Sequence, residues 1–359
     1  MSITRTLISP LKLGLLLSVL LLTACKIFDD DTPSDNYIGS LPIKDSTAFP
    51  VGMTLDGSNG LIVTALGPET IADPLGRIFT VGTTGKAFDR ATISAAVGKT
   101  YAGLSGSVFD PSNNLLYSCS NSKVPGVMPA VIVFERSANG SFTWKTASNF
   151  TSNGYCHSLA KTQGYLFATN SRPQTPKLTE IAVYSVNITS TSGTSSNLPP
   201  TLNKSLTYAD IGYKSGDMLL NRDLITDVQG SQEKSGSNNL YLVDTKRNQL
   251  LYVNFIMMPS TAIVKQVWTD MNLQEPIAMA QMNDNLFAIS EKNYGDPRIT
   301  EVYYDSYLKP HYKVLASVSS TVSALSFGSD YFGKVQGPVV FALRTESQLG
   351  IFYVDEFSL

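Results

Sequence analysis

Two histidines, His157 and His311, and three cysteines, Cys25, Cys119 and Cys156, are the whole stock of imidazole and thiol in this 359-residue chain. Two imidazoles are too few for a multi-histidine zinc or iron centre. A thiol nucleophile at Cys156 would need a base, and in an extended segment the adjacent His157 projects to the opposite face. The stretch GLSGS at 103–107 falls short of the G-x-S-x-G elbow, which also needs a strand-to-helix turn. No residue reads as catalytic. What remains is binding chemistry. Asn121, His157, Asn170, Arg172, Arg222, Asp223, Asp244, Lys246, Glu275, Glu291, Lys292 and Arg344 each open or end a short apolar run, a dense set for a chain only 16% charged. They read either as charges paired with one another on a wet rim or as a polar pocket for an anionic or hydroxylated ligand. In the second reading Arg172, Arg222 and Arg344 can clamp a carboxylate.

The apolar runs that would position these residues belong to one hairpin used repeatedly. FDPSNNLLYSCSN at 109–121 is a strand, a polar turn and a second strand, and its relatives include MTLDGSNGLIVTA, HSLAKTQGYLFAT and IAMAQMNDNLFAIS. Second strands begin near Leu61, Leu115, Tyr165, Leu240, Leu286 and Val339, at intervals of 54, 50, 75, 46 and 53 residues. A period of roughly 40 to 50 residues made of four short strands signals a β-propeller blade. Third strands are expected at RIFTV, AVIVF, IAVYSV, LLYVN, EVYY and GIFYV, and fourth strands near 91–94, 141–144, 206–208, 263–267 and 313–317. The sixth unit runs out of chain before a fourth strand, so the segment around Tyr37 to Ile43 is expected to supply it and to cover the open edge. The fold class is therefore all-β, a propeller of six four-stranded blades closed by an N-terminal strand. The long third interval, 75 residues, leaves seven blades as the alternative. The insertion NITSTSGTSSNLPPTLNKS at 187–205 reads as a loop. Four N-x-S/T matches, at Asn139, Asn149, Asn187 and Asn203, are what such a composition produces by chance.

Propeller geometry makes a prediction about the thiols. The end of one second strand and the start of the next first strand share a face, so Cys119 and Cys156 become neighbours across two blades. A disulfide between them would close a loop of 37 residues, stabilising by about 3–4 kcal/mol in the chain-entropy model.

The N-terminus carries an address. Arg5 and Lys12 precede an apolar run, Leu13 to Leu22, too short for a stable bilayer span. Leu22-Thr23-Ala24-Cys25 resembles the bacterial lipobox, in which the signal is cut before the cysteine and that thiol carries lipid. The resemblance implies a signal peptide at 1–24 and lipidation of Cys25. KIFDDDTPSDN then reads as a solvated tether across 25–36, ahead of one propeller domain at 37–359. Lys26 in place of a retention aspartate implies the outer membrane, on its periplasmic side or at the cell surface. A net charge of -2 without basic clusters argues against nucleic acid and leaves membrane attachment to the lipid.

The hairpin FDPSNNLLYSCSN and its relatives resemble the six-bladed superfamily of NHL-repeat proteins and gluconolactonase-like hydrolases. That resemblance implies a central calcium held by residues opening the first strands, here Met53, Ser107, His157, Asp223, Glu275 and Ser323. Of these only Asp223 and Glu275 are carboxylates. The leading expectation is a lipid-anchored scaffold, without cofactor, that binds an envelope protein or a small ligand. The alternatives are a calcium-dependent lactonase or esterase and a surface nutrient-capture lipoprotein.

Overall fold

Apolar runs such as AVIVF at 130–134 and LIVTA at 61–65 are continuous rather than alternating, and such strands need cover on both faces of their sheet. The computed structural model describes residues 37–42, 49–57, 60–66, 76–81, 87–92, 103–121, 126–151, 154–162, 164–171, 180–186, 200–206, 225–230, 238–245, 248–258, 261–270, 273–283, 286–307, 309–318, 322–327, 338–343 and 348–353. Among the described residues the strands form six four-stranded antiparallel sheets.

The first strand, β1 (Tyr37–Pro42), belongs to the last sheet. Sheet one runs β2 (Phe49–Leu55), β3 (Leu61–Leu66), β4 (Arg77–Val81), β5 (Ala87–Thr92). Sheet two runs β6 (Gly103–Asp110), β7 (Leu115–Asn121), β8 (Ala130–Arg136), β9 (Phe142–Asn149), and sheet three β10 (Tyr155–Thr162), β11 (Tyr165–Ser171), β12 (Glu180–Ser185), β13 (Thr201–Leu206). Sheet four holds β14 (Ile225–Gly230), β15 (Asn238–Asp244), β16 (Gln249–Met258) and β17 (Thr261–Asp270); sheet five holds β18 (Pro276–Asn283), β19 (Leu286–Glu291), β20 (Arg298–Tyr304) and β21 (Pro310–Ser317). Sheet six is β22 (Val322–Phe327), β23 (Pro338–Leu343), β24 (Gln348–Tyr353) and then β1. The N-terminal strand pairs antiparallel with β24, Leu41 opposite Leu349, and closes the ring as the sequence expects.

First strands touch in cyclic order, β2 to β6, β6 to β10, β10 to β14, β14 to β18, β18 to β22, and β22 back to β2. The described ring thus closes with six sheets, and the fold is an all-β propeller. Neighbouring first strands run the same way: Gly52 of β2 lies against the Ser105 carbonyl of β6, and further along Phe109 N donates to Thr54 Oγ1 at 3.2 Å. Their openings therefore share one end, the mouth end, while the hairpin turns within each sheet share the other, the turn end. Gly52 and Gly106 permit the close approach, because a Cβ on Gly52 would collide with the Ser105 carbonyl and one on Gly106 with the His157 carbonyl.

The core lies between the sheets. Ile62, Ile78, Leu116, Ile132 and Phe134 join sheets one and two, and Tyr117, Val131, Leu166, Ala182 and Tyr184 join two and three. Tyr241, Leu250, Phe287 and Val302 join four and five. Each such side chain contributes about 1.5–3 kcal/mol by leaving water.

Two expectations need correction. The end of the supposed loop at 187–205 is the strand β13, which begins at Thr201 directly after Pro199-Pro200. Proline stops the loop, and the strand starts as soon as backbone donors return. Second, Met53 and Ser107 do not open their strands. Both are buried fifth residues of β2 and β6. All six first strands carry a register shift near their start, at Pro50/Gly52, Leu104/Ser107, Cys156/Leu159, Ile225/Asp227, Pro276/Ala278 and Val322/Ala324. A bulge adds residues to one strand of a pair, so counting back from the turn stops short of the opening.

Candidate functional site

The mouth end gathers most of the described candidates, and two corners of it are built in detail. At the corner of sheets two and three, Cys119 near the end of β7 and Cys156 at the start of β10 form a disulfide with a Cα separation of 5.4 Å. Both residues are fully buried. Asn121 reinforces the bridge. Its side-chain amide copies a backbone pair, donating from Nδ2 to Cys156 O at 2.8 Å and accepting from Cys156 N at 2.8 Å. The Ser105 hydroxyl donates to the same carbonyl at 2.6 Å. His157 is half-buried, its ring 4.4 Å from that of Tyr155. Cys156 and Cys119 are therefore structural, and neither thiol is free to act as a nucleophile.

At the mouth end of sheet five the chemistry is ionic. The Glu291 carboxylate is fully buried and accepts from Arg298 Nε at 3.1 Å, from Arg298 Nη2 at 3.4 Å, from the Thr300 hydroxyl and from the Gln274 backbone N–H. Glu275 sits beside this cluster in the left-handed region, φ 49°, with its N–H donating to Asn248 Oδ1 at 2.8 Å. Asn248, φ 58°, and Asn293, φ 42°, are left-handed too, and Asn293 N donates to Gln274 O at 3.2 Å. Lys292 N donates to Glu275 O at 3.1 Å. Such backbone costs on the order of 1 kcal/mol or more for a residue like Glu and persists only where its surroundings impose it. The Glu275 carboxylate forms no ion pair among the described residues.

Register shows a relation that single-strand reading misses. Ser120, Asn170, Asp244 and Glu291 occupy one equivalent position, opposite Leu104, Cys156, Ile225 and Pro276, in four successive sheets. All four are buried. Ala65 and Leu343 fill the position in sheets one and six. The sequence reading found Asn170, Asp244 and Glu291 but not Ser120, Ser105, Gln274, Arg298 or Thr300. Aligning the second strands on their hairpin turns would have exposed Ser120. Pairing Glu291 with the opening of β20 would have exposed Arg298. Cys25, Arg172, Arg222, Asp223, Lys246 and Arg344 lie outside the described residues, so the three-arginine clamp has no described geometry.

The calcium set implied by the propeller resemblance can be compared with these donors. Met53 and Ser107 are buried below the bulge, Ser323 donates its hydroxyl to Pro50 O at 2.8 Å, and Glu291 is held by Arg298. No group of three or more His, Cys, Asp or Glu suited to a metal gathers among the described residues. The described donor set does not fit a calcium ion.

The turn end is bound differently. In FDPSNN, Asp110 Oδ1 accepts from Ser112 N at 3.1 Å and Ser112 Oγ at 2.5 Å, and Oδ2 pairs with Lys161 of sheet three at 3.0 Å. Burial opposes its charge, but the Ser112 hydroxyl, Lys161 and Asn113 outweigh that and hold the carboxyl below its ordinary value. Asp56 of sheet one meets Arg136 of sheet two at 3.3 Å. Glu301, on β20, is the converse. Burial pushes its carboxyl up, Lys313 only partly offsets this, and its Oε2 has no hydrogen-bond partner.

No protein-family model matches the sequence, and no curated protein matches it. Solved structures do. One named as a gluconolactonase shares 13% identity over 89% of this chain and 94% of its own, with a TM-score of 0.51. A glucose dehydrogenase shares 11% identity over 89% of this chain and 100% of its own, also at 0.51. A protein from Lactobacillus plantarum shares 11% over 85% and 88%, again at 0.51. The likeness is one of fold. It shows that the chain has a β-propeller fold.

Proposed function

We propose that the protein is a lipid-anchored propeller of the bacterial outer membrane that works as a binding scaffold, presenting its mouth end to an envelope protein or a small polar ligand. One observation carries the preference for binding over catalysis: the described carboxylate and amide best placed for chemistry, Glu291 and Asn121, are committed to Arg298 and to the Cys156 backbone. A group so held is poor at moving protons or receiving a ligand. The anchor rests on Leu22-Thr23-Ala24-Cys25. Mass spectrometry of the mature protein tests it, the expected species beginning at Cys25 with acyl chains attached. Cross-linking in intact cells tests the scaffold role; one envelope partner captured through mouth-end positions such as Asp296 is the expected outcome, and capture only through turn-end positions contradicts it. Protease shaving of intact cells separates a periplasmic protein from a surface nutrient-capture one.

A second reading, a calcium-dependent lactonase, draws on the fold likeness to the gluconolactonase and on the strained, carboxylate-bearing Glu275 at the mouth. Calcium-dependent thermal stabilisation together with lactone turnover would establish it. A flat response in both removes it.

A further inference from the structure

Building on the lipid-anchor reading above, we infer that the turn end of the propeller is a membrane-docking face, so that the mouth end points away from the bilayer. Two independent features meet at the turn end. The first is where the chain enters. β1 pairs antiparallel with β24, Tyr37 opposite Phe352 near the C-terminal end of that strand. β24 is a third strand, and third strands run from the mouth end to the turn end, so residue 37 joins the propeller at the turn end. Twelve residues, 25–36, separate the expected lipidated cysteine from β1, a length whose random-coil average span is about 20 Å. A strand of six to eight residues such as β1 or β21 is about 20–26 Å tall. Bringing the mouth end to the membrane would take up the tether's whole average reach, whereas the turn end is already there.

The second feature is where apolar surface is exposed. Among the described residues the exposed large hydrophobics are Leu55, Trp144, Tyr307 and Val314. Leu55 ends β2 at the turn end, and Tyr307, 90% exposed, tips the β20–β21 turn. Trp144 is the third residue of β9, a strand that starts at the turn end. Val314 lies midway along β21, and none lies at the mouth end, where the exposed described residues include Thr151, Asp296 and Ser317. Lys309 beyond Tyr307 is exposed as well, whereas Lys145 beside Trp144 is exposed but paired with Glu135. Tyrosine and tryptophan with a lysine alongside suit the headgroup layer, where a ring is half-wet and an ammonium meets anionic lipid. An acyl chain holds the protein to the bilayer, and these side chains set which end it rests on.

Tyr307 and Ser317 flank β21 at opposite ends of one strand, so one pair of variants reads the orientation. The full mature lipidated protein carries no other reactive thiol, because Cys119 and Cys156 are joined and buried and Cys25 is acylated in this reading. Tyr307→Cys and Ser317→Cys, labelled with a thiol-reactive nitrobenzoxadiazole dye, are reconstituted in phosphatidylethanolamine–phosphatidylglycerol vesicles containing a spin-labelled lipid. The dye at 307 is expected to be quenched at least about threefold more than the dye at 317, as a group within the headgroup boundary should be. Equal quenching, stronger quenching at 317, or none at either position in vesicle-bound protein overturns the orientation while leaving the anchor standing. If instead the unsubstituted protein takes up dye at Cys25 and does not float with vesicles, the anchor fails, and the orientation with it.

Discussion

The junction of sheets two and three and the mouth end of sheet five are held by opposite means. The first uses a covalent bond and neutral hydrogen bonds, Cys119 to Cys156 with Asn121 on the Cys156 backbone. The second uses a buried charge, Glu291, surrounded by Arg298, Thr300 and the Gln274 N–H. In a radial fold the first strands run parallel at the axis and do not hydrogen-bond as a sheet there, so side chains must link neighbours at the mouth. A disulfide does this by limiting the unfolded chain. The buried ion pair instead joins β19 to β20 within sheet five, and it holds only while both partners remain, since desolvation cancels much of its attraction. The two corners should therefore answer to different perturbations.

The largest effect is expected at the covalent corner. Reduction, or Cys119→Ser with Cys156→Ser, should lower unfolding free energy by about 3–4 kcal/mol for a closed loop of 37 residues, measured by denaturant titration with and without reductant. An unchanged midpoint would mean that the neutral bonds alone hold that junction. At the ionic corner, Glu291→Gln should cost about 2–4 kcal/mol by leaving Arg298 without its charge partner, somewhat softened because Arg298 is 25% exposed. Reductant should leave that loss unaltered, and a loss that vanishes in reduced protein would show the two corners to be coupled. Asn121→Ala should cost about 1–3 kcal/mol, since it strips partners from the Cys156 N–H and carbonyl. Comparing it in oxidised and reduced protein by a double-mutant cycle tells whether bridge and amide act as a unit.

The smallest effects are pH-dependent and opposite in sign. Asp110 is held below its ordinary value, so its contribution is present above about pH 4, the unfolded value, and is lost as pH falls through the lower folded value. Asp110→Asn should abolish that acid loss. Glu301 is pushed up, so its protonated form stabilises the fold below its unfolded value, and that contribution disappears as pH rises through the folded value. Glu301→Gln should therefore stabilise at pH 7, on the order of 1 kcal/mol, with the gain fading in acid. A constant gain at every pH would remove ionisation as its cause.

Much of the fold was legible because a hairpin leaves a local trace. FDPSNNLLYSCSN holds its turn residues, its apolar strands and its cysteine within thirteen letters, and the structure places Asn114 in the left-handed turn that the Asn-rich stretch predicts, φ 54°. The closing strand was legible too, because a sixth unit short of one strand has a single spare segment in the chain. The mouth was read less well. Met53 and Ser107 were placed at strand openings because the bulge shared by all first strands is a property of pairing, not of either strand's composition. Arg298 went unnoticed because its partner lies across a strand pair, seven residues away in sequence.

By itself the sequence determined the periodic strands, the closing segment and the meeting of two thiols, because each follows from local alternation and chain order. Only the tertiary structure decided what the polar residues at the mouth do. Glu291 and Asn121 could equally have faced a ligand; packing turned them onto Arg298 and the Cys156 backbone, since a polar group carried inside between sheets must find its partner there.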